Sequence, residues 1–391
     1  MRKIGADLIL PVNGEPIPDG LVITDDEGTI LELGVQSEHD PASIEKYRGV
    51  IVPGFVNTHC HLELSHMKGR VDTGTGLLPF LVSVVSFRNI AEEEILDAIE
   101  RADREMYDNG IVAVGDISNK ADTAAVKEKS PIRYYTFVEM FDFLQDKLAQ
   151  KTFDGYLEVF EKHSGEGKNR KSCVPHAPYT VSPYLFELIR NVNPDDCTVS
   201  IHNQETLDED DLFLSKTGGF PDFMRSFGFG IDHFQATGKT SIHYALEHLG
   251  KRQRTLFVHN TKTGPQDIRA ARAWSPQVYW ATCPNANLYI ENELPYYRYF
   301  LDEKAKMTIG TDSLTSNWQL SVLEEMKTIL RYQSYVPFEE VLRWATINGA
   351  EALGFEKELG SLEKGKKPGI NLLDLDPSLR LNAETKVRRL V

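Results

Sequence analysis

The sequence predicts an α/β fold, a (β/α)8 TIM barrel with a small β-sandwich domain that is built from both termini. Apolar, β-branched runs alternate with amphipathic helical patterns through the middle of the 391-residue chain, which is typical of parallel strands joined by helices. Short strand-like runs between turn residues fill both ends. The predicted domains are residues 1–52 with 360–391 for the sandwich and residues 53–359 for the barrel. A doubly wound sheet is the alternative, but no Gly-X-Gly-X-X-Gly motif opens a helix.

The terminal segments read as short antiparallel strands. Apolar runs at 8–10, 21–24 and 29–33 are separated by Asn-Gly and by Asp- and Gly-rich turns, a pattern that predicts hairpins. The same pattern of short apolar runs recurs at 360–362 and 370–374. We therefore expect strands from the two ends to close one small domain.

The central segment carries eight strand-like runs with helical patterns between them, for example at 92–109 and 321–332. An eight-fold alternation of this kind predicts a barrel whose active site lies at the carboxyl ends of the strands. The predicted strands are 53–58, 111–116, 132–138, 172–175, 198–202, 254–259, 277–282 and 306–311.

Composition and charge exclude several classes of partner. The net charge of −15 argues against nucleic acid, whose phosphates require clustered Lys and Arg. No apolar run is long enough to cross a bilayer, so we expect a small-molecule substrate and no membrane partner. The four cysteines show no paired spacing and predict reduced thiols in a cytoplasmic protein.

A His-X-His pair, His59 and His61, ends the first predicted strand. Side chains two apart on a strand project to the same face, so both imidazoles can bind one metal ion. Cys60 between them points the other way and is expected to pack.

The later strand ends carry further candidates for the same site. His176, His202 and His259 follow or end strands four, five and six, Glu205 lies three residues beyond His202, and Asp312 follows strand eight. Because all these strand ends lie at one end of a barrel, the side chains are expected to converge.

Each of the less certain acidic residues also has a purely structural interpretation. Asp116 can cap the helix that follows it, Glu139 can pair with a nearby Arg or Tyr, and Glu63 can be a solvated loop residue. The acidic run 208–211 is expected to be a solvated helix start.

Taken together, the motifs resemble the amidohydrolase superfamily. The matching pieces are the run 53–61, single histidines on later strands, Gly-Thr-Asp at 310–312 and the terminal segment 359–366. Within the superfamily, the His-X-X-Glu at 202–205 is similar to the deaminase branch. Two further motifs are similar to those of adenosine, S-adenosylhomocysteine and chlorohydrolase-type members: His-Ala-Pro-Tyr-Thr at 176–180 and Cys-Pro-Asn-Ala-Asn-Leu at 283–288. A fourth motif, Leu-Glu-Leu-Ser at 62–65, resembles that of aminofutalosine deaminases.

Two departures from the family pattern bear on the expectations. Binuclear members carry a bridging lysine at the end of strand four, whereas here Lys171 lies at the opposite end of that strand, so one metal ion is expected. The tail reads Lys-Pro-Gly-Ile-Asn at 367–371 where the family has Ala-Asp, which puts the local packing of the sandwich in question.

The resemblance implies a deaminase that hydrolyses a C–N bond of an aminated, purine- or adenosine-like N-heterocycle. The resemblance implies one divalent metal ion, Zn²⁺ or alternatively Fe²⁺ or Mn²⁺, which lowers the pKa of the attacking water. It also implies a general acid. The implied oligomeric state is a homodimer. The implied residues are His59, His61, His202 and Asp312 for the metal, Glu205, His259 and Asp312 for catalysis, and Glu63 and His176 for substrate binding.

Other functions stay open at this stage. Hydrolysis of a cyclic amide or of a carbon–chlorine bond suits a similar barrel, and a non-catalytic barrel is the remaining alternative. The segment 207–249 is expected to be a lid or pocket wall. It holds an aromatic cluster (Phe220, Phe223, Phe227, Phe229 and Phe234), which is interpreted as packed, so that none of the five is assigned to the substrate.

Overall fold

The computed structural model describes residues 1–391. The terminal segments form two small sheets, whose strands are β1 (Arg2–Gly5), β2 (Leu8–Ile9), β3 (Ile17–Pro18), β4 (Gly20–Thr24), β5 (Ile30–Val35), β6 (Glu45–Lys46), β7 (Val50–Pro53), β16 (Ile370–Leu373) and β17 (Val387–Arg389). One sheet has the order β5-β4-β1-β6 and the other β17-β16-β7-β2-β3. Strands from both ends of the chain therefore meet in the second of these sheets.

Side chains from both small sheets share one apolar cluster. Ile4 and Val22 come from the first sheet, Ile51 and Ile370 from the second, and all four are fully buried. The hairpin of β4 and β5 is antiparallel as expected. Residues 360–362 form no strand, but Leu362 is buried in the same cluster. Ile370, within the unusual tail at 367–371, is fully buried in this cluster.

The middle of the chain forms eight parallel strands in two sheets of four. They are β8 (Phe55–Cys60), β9 (Ile111–Ser118), β10 (Arg133–Met140), β11 (Arg170–Pro175), β12 (Thr198–Asn203), β13 (Arg254–His259), β14 (Val278–Thr282) and β15 (Met307–Ile309). The sheet orders are β11-β10-β9-β8 and β12-β13-β14-β15. All eight predicted strands are present.

The largest corrections fall on the first and last of these strands. β8 begins two residues later than predicted because Pro53 belongs to β7, where it pairs with Ile370. β15 ends at Ile309, since the next residues turn towards β8. There the backbone N–H groups of Thr311 and Asp312 both donate to the carbonyl of His59 at 3.0 Å.

Backbone contacts join the two four-stranded sheets at both of their edges. Cys60 and Asp312 form an isolated parallel bridge between β8 and the residues after β15. At the opposite edge, the N–H of His202 donates to the carbonyl of His176 at 2.9 Å. These contacts bring the carboxyl ends of β8, β12 and β15 together.

Helices follow the strands and pack their apolar faces against the sheets. They are α1 (Leu77–Phe87), α2 (Glu92–Asp108), α3 (Ala124–Lys129), α4 (Asp146–Lys162), α5 (Pro183–Val192), α6 (Leu207–Ser215), α7 (Phe220–Ser226), α8 (Ser241–His248), α9 (Pro265–Trp274), α10 (Pro284–Glu291), α11 (Tyr297–Asp302), α12 (Val322–Tyr332), α13 (Phe338–Trp344) and α14 (Ile347–Ala352). In α2, Ile95, Ile99, Ala102 and Met106 recur at helical spacing and are buried. No helix has the length and apolarity that a membrane span requires.

Candidate active site

Four imidazoles and one carboxylate meet at the carboxyl ends of the parallel strands. His59 lies near the end of β8 and His61 directly after it, while His202 lies in β12, His259 ends β13 and Asp312 follows β15. These strands run in parallel, so their carboxyl ends share one side of the fold. The structure thus brings together five residues that are up to 253 positions apart in the sequence.

The side-chain atoms of four of them lie close enough to share one ion. His59 Nε2 is 3.1 Å from His61 Nε2, and His61 Nε2 is 3.4 Å from His202 Nε2. Asp312 Oδ1 is 3.4 Å from His61 Nε2. A tetrahedral Zn²⁺ with bonds of about 2.0–2.1 Å places its ligand atoms roughly 3.3 Å apart, so the spacing fits a divalent ion.

Hydrogen bonds orient the imidazole rings of the cluster, and burial shifts their pKa values. His202 Nδ1 donates to the carbonyl of His176 at 2.8 Å, which leaves Nε2 directed at His61. Burial, with the neighbouring His61, lowers the pKa of His59 well below its usual value. Burial also lowers the pKa of His202, but the hydrogen bond and charge of Glu139 outweigh it and raise the pKa to about 10. A divalent ion and a proton would therefore compete for His202 Nε2.

A second group of donors, Glu139, His176 and His202, lies beside the first. Glu139 Oε1 is 3.3 Å from His202 Nδ1, the nitrogen that already donates to the His176 carbonyl. His202 cannot offer Nδ1 as a lone pair while it donates, so this second group acts as a hydrogen-bonded support for the first. Lys171 Nζ donates to the carbonyl of Phe160 at 2.8 Å, away from both groups.

Glu205 and His259 form a pair next to the imidazole cluster. Glu205 Oε2 lies 3.6 Å from His259 Nε2, and burial raises the pKa of Glu205 to about 8. His259 Nδ1 lies 2.9 Å from Asn287 Oδ1 and must donate to this acceptor, so Nε2 carries the lone pair. The pair therefore combines a carboxyl that holds its proton near neutral pH with a neutral imidazole acceptor.

A buried carboxylate fixes the backbone at Glu205. Glu209 accepts hydrogen bonds from the backbone N–H groups of Gln204 at 3.0 Å and Glu205 at 3.1 Å, and from Ser241 Oγ at 2.6 Å. The run 208–211 does begin a helix, but the prediction that it is solvated is wrong in part, because Glu209 and Asp210 are buried. Their burial serves the strand end that precedes the helix.

Two of the converging residues have a strained backbone. His259 has φ = 70° and Asp312 has φ = 56°, a left-handed conformation that residues other than glycine rarely adopt. Each such residue costs on the order of 1–3 kcal/mol, and this kind of strain concentrates at functional sites. The left-handed backbone at the end of each strand directs these two side chains towards the other imidazoles.

The cluster forms the floor of a cavity with largely apolar walls. His61, His202, Glu205, His259 and Asp312 face the cavity, together with His176. The walls come from α1, α7 and the segment after β10, and include Phe80, Val84, Phe141, Phe143, Phe223 and Phe227. A polar floor under apolar walls is the usual form of a small-molecule site.

The two predicted substrate-contact residues differ in position. His176 lines the cavity, and its Nδ1 lies 2.7 Å from Thr180 Oγ1. Glu63 does not line the cavity and is not a solvated loop residue either, because its side chain is almost fully buried. It pairs with Arg88 at 3.2 Å, and Arg88 lines the cavity in its place.

The structural alternatives for Asp116 and Glu139 are both wrong. Asp116 does not cap a helix: its Oδ1 accepts from the N–H of Leu62 at 2.7 Å, directly after the His-X-His pair. Glu139 pairs with His202 rather than with an Arg or Tyr. Both carboxylates therefore support residues that carry the imidazole cluster.

Sequence reasoning missed most of the cavity wall. Phe141 and Phe143 follow β10 directly, so their position after a strand end was a usable signal. Phe223 and Phe227 line the cavity, whereas the whole aromatic cluster was interpreted as packed. Phe220 and Phe234 of that cluster are indeed buried in the core. No local pattern separates the two kinds of phenylalanine.

Lys127→Met is expected to lower the free energy of unfolding by about 3–5 kcal/mol, because it leaves a buried carboxylate without its partner. Lys127 is 3% exposed, and its Nζ lies 2.6 Å from Asp116 Oδ2. The same Nζ donates to Ser118 and Thr136. Urea denaturation followed by circular dichroism measures the change.

The matched control is Lys129→Met on the same helix, α3, where the side chain is exposed. This control should shift the free energy of unfolding by less than about 0.5 kcal/mol. Equal losses in the two variants would show that the buried pair contributes nothing to stability. Adding Asp116→Asn to Lys127→Met should recover part of the loss.

The sequence comparison assigns this α/β fold, with its imidazoles and aspartate at the strand ends, to a class of hydrolase. The chain belongs to the amidohydrolase family, which it matches over residues 50–389. The family predicted from the motifs is confirmed.

Individual relatives are similar along most of their length. An adenosine deaminase of Helicobacter pylori is 26% identical over 380 residues, covering 94% of this chain and 91% of the relative. A 5′-deoxyadenosine deaminase of Methanobrevibacter smithii is 27% identical, covering 94% of this chain and 82% of the relative. The predicted enzyme class, an aminohydrolase of this family, is the class of both relatives.

A solved structure supports the fold. The aminofutalosine deaminase of Helicobacter pylori in complex with methylthio-coformycin superposes with a TM-score of 0.80 at 22% identity. The superposition covers 96% of this chain and 93% of the other. The similarity therefore extends over the terminal sheets as well as the central strands.

Proposed function

We propose that the protein deaminates an aminated N-heterocycle, purine- or adenosine-like, by hydrolysis. The observation that carries the proposal is the placement of Glu205 beside the imidazole cluster at the floor of a cavity with largely apolar walls. The adenosine-type deaminases among the relatives support the same substrate class. Water adds to the ring carbon that bears the amino group, and ammonia leaves with a carbonyl in its place.

His59, His61, His202 and Asp312 would hold one divalent ion. Three imidazoles and a carboxylate suit Zn²⁺, and Fe²⁺ or Mn²⁺ can use the same donors. When bound, such an ion lowers the pKa of a coordinated water from about 16 to roughly 7. No lysine reaches the cluster, which favours a single ion over a pair.

The chain's own residues then move the protons. The Asp312 carboxylate accepts a proton from the attacking water and passes it to the amino group, which leaves as ammonia; Ser316 Oγ donates to Asp312 Oδ2 at 2.6 Å. Glu205 donates its proton to the ring nitrogen next to the attacked carbon, which removes the negative charge that develops there. The lone pair on His259 Nε2 accepts a hydrogen bond from the water and orients it.

The substrate's heterocycle would occupy the floor of the cavity and its substituent the space between the apolar walls. His176 lies beside His202, with 4.9 Å between the ring centroids, and is the proposed contact to the edge of the heterocycle. Burial lowers the pKa of His176 to about 4, so this contact is made by a neutral imidazole. Exclusion of water by the phenylalanines strengthens each of these interactions.

The same proposal includes the finer architecture. The contacts at both edges of the two four-stranded sheets favour a closed (β/α)8 barrel over residues 53–359. The shared apolar cluster of the terminal sheets favours a β-sandwich over residues 1–52 and 360–391. A homodimer and a cytoplasmic location stay predictions from the sequence.

The test is a screen for ammonia release with metal-loaded protein. Aminated purines, nucleosides, pterins and pyrimidines are compared with their chlorinated counterparts and with cyclic amides. We expect release of ammonia from an adenine-type compound at a kcat/KM above about 10⁴ M⁻¹s⁻¹. Release of chloride, or ring opening without ammonia, would replace the proposal by one of the two other hydrolases, and no turnover with any compound would refute it.

A further inference from the structure

The cavity contains one basic side chain apart from its histidines, Arg88. Leu77, Phe80 and Val84 of α1 face the cavity at helical spacing, and Arg88 lies four residues beyond Val84, at the end of the helix. Because residues four apart share a helix face, the arginine continues the apolar stripe that covers the cavity.

The guanidinium group is held in place but is not saturated. Its Nη2 donates to Glu63 Oε1 at 3.2 Å, and this is its single side-chain hydrogen bond within the chain. Glu63 is itself fixed by the backbone N–H groups of Asn119 at 2.9 Å and Lys120 at 3.0 Å. The Arg88 side chain is 23% exposed and lines the cavity, so its free donors are available to a ligand there.

Apolar side chains line the same cavity as these free donors. Phe80, Val84, Phe141 and Phe143 line the same cavity and offer no acceptors. A ligand that fills the cavity with an uncharged, apolar group would leave the donors without partners, which costs free energy. A planar oxyanion would satisfy two of them in a forked hydrogen bond.

The Arg88 side chain makes no hydrogen bond or ion pair with the imidazole cluster; its partner is Glu63. It reaches the imidazole cluster only through a series of contacts: Glu63 binds the backbone of Asn119, the Asn119 side chain lies 3.3 Å from Glu139 Oε2, and Glu139 pairs with His202. A group bound by Arg88 is therefore a part of the substrate other than the carbon that is attacked.

We propose that Arg88 is a specificity-determining residue that binds an oxyanion, a carboxylate or a phosphate, on a part of the substrate other than the attacked carbon. The inference rests on the proposed deamination of an adenosine-like compound and names which members of that class are preferred. Binding energy from such a non-reacting group supports catalysis at the ring, since it positions the heterocycle on the floor.

The experiment compares three compounds with one heterocycle: adenosine, adenosine-5′-carboxylic acid and adenosine 5′-monophosphate. For each, kcat/KM is measured by ammonia release and the dissociation constant by calorimetry. We expect the wild type to prefer at least one anion over adenosine by about 10- to 100-fold. Comparing the kcat/KM values of the two anions shows whether carboxylate or phosphate is the preferred group.

Arg88→Met should bring the ratio of anion to adenosine close to one, and Arg88→Lys should give an intermediate ratio because ammonium lacks the planar fork. The control is Arg101→Met, an exposed arginine on α2, which removes the same charge from outside the cavity and should keep the wild-type ratio. Equal ratios in wild type and Arg88→Met would overturn the inference. Absence of ammonia from all three compounds would count against the proposed function instead, and the calorimetric ratios would still decide the role of Arg88.

Discussion

Glu205→Gln is expected to lower kcat by about 10²- to 10⁴-fold on the true substrate, with its metal content unchanged. Glutamine has nearly the same shape as glutamic acid but has no acidic proton to give to the ring nitrogen. Burial raises the pKa of Glu205 to about 8, so most of the wild-type carboxyl groups hold that proton at pH 7. The measurement is steady-state ammonia release together with elemental analysis of the same samples.

Metal content separates a catalytic role for Glu205 from a structural one. Glu205 is not among the donors of the His59, His61 and His202 group, so the variant should bind metal as tightly as the wild type. The matched control is Glu187→Gln, an exposed glutamate on α5, which should keep wild-type turnover. Near-normal turnover in Glu205→Gln would remove this residue from the acid–base scheme.

His59→Ala should weaken metal binding by more than about 100-fold, since loss of a group that merely orients a ligand already costs 10- to 100-fold. His59 is fully buried, and its Nε2 is one of the three imidazole nitrogens that lie together. Removing it leaves two imidazoles and Asp312, too few to complete a tetrahedral site without extra water. Metal per chain is measured after dialysis against a buffer of fixed free Zn²⁺.

Asp312→Asn is a second test of the metal site. Unlike His59→Ala, it leaves no empty space in the core that causes a folding defect. Asparagine keeps the shape of Asp312 and can still accept from Ser316, but it carries no charge, so metal affinity and turnover should both fall. His39→Ala, in the terminal domain, is the control for loss of a histidine outside the cluster. Full metal content and full activity in both His59→Ala and Asp312→Asn would refute the metal site.

The residues of the cluster could be predicted because their signals are local. A His-X-His pair needs only the two-residue period of a strand to place both rings on one face. His202, His259 and Asp312 could be added because parallel strands deliver their carboxyl ends to the same side. The eight strand runs were readable for the same reason, since buried strands are continuous apolar segments.

The carboxylates around the cluster were harder to interpret, because an acidic residue has the same local signature whether it is solvated or buried. In the sequence, Asp116 has the signature of a helix cap, Glu139 that of a partner for an Arg or Tyr, and Glu209 that of a solvated helix start. Asp116 pairs with Lys127 on the helix that follows, Glu139 pairs with His202 on another strand, and Glu209 folds back onto the backbone of Gln204. Only the packed structure shows which carboxylates support the site.

The sequence by itself determined the strand–helix alternation, the family and the set of imidazoles and acids at the strand ends, because each depends on short-range periodicity or on a compact motif. The tertiary structure decided which side chains line the cavity. Arg88 lines it in place of the predicted Glu63, and Phe223 faces the cavity while Phe220 faces the core. Those walls are assembled from loops and helices far apart in the chain. Their direction depends on packing against neighbours, which no local pattern encodes.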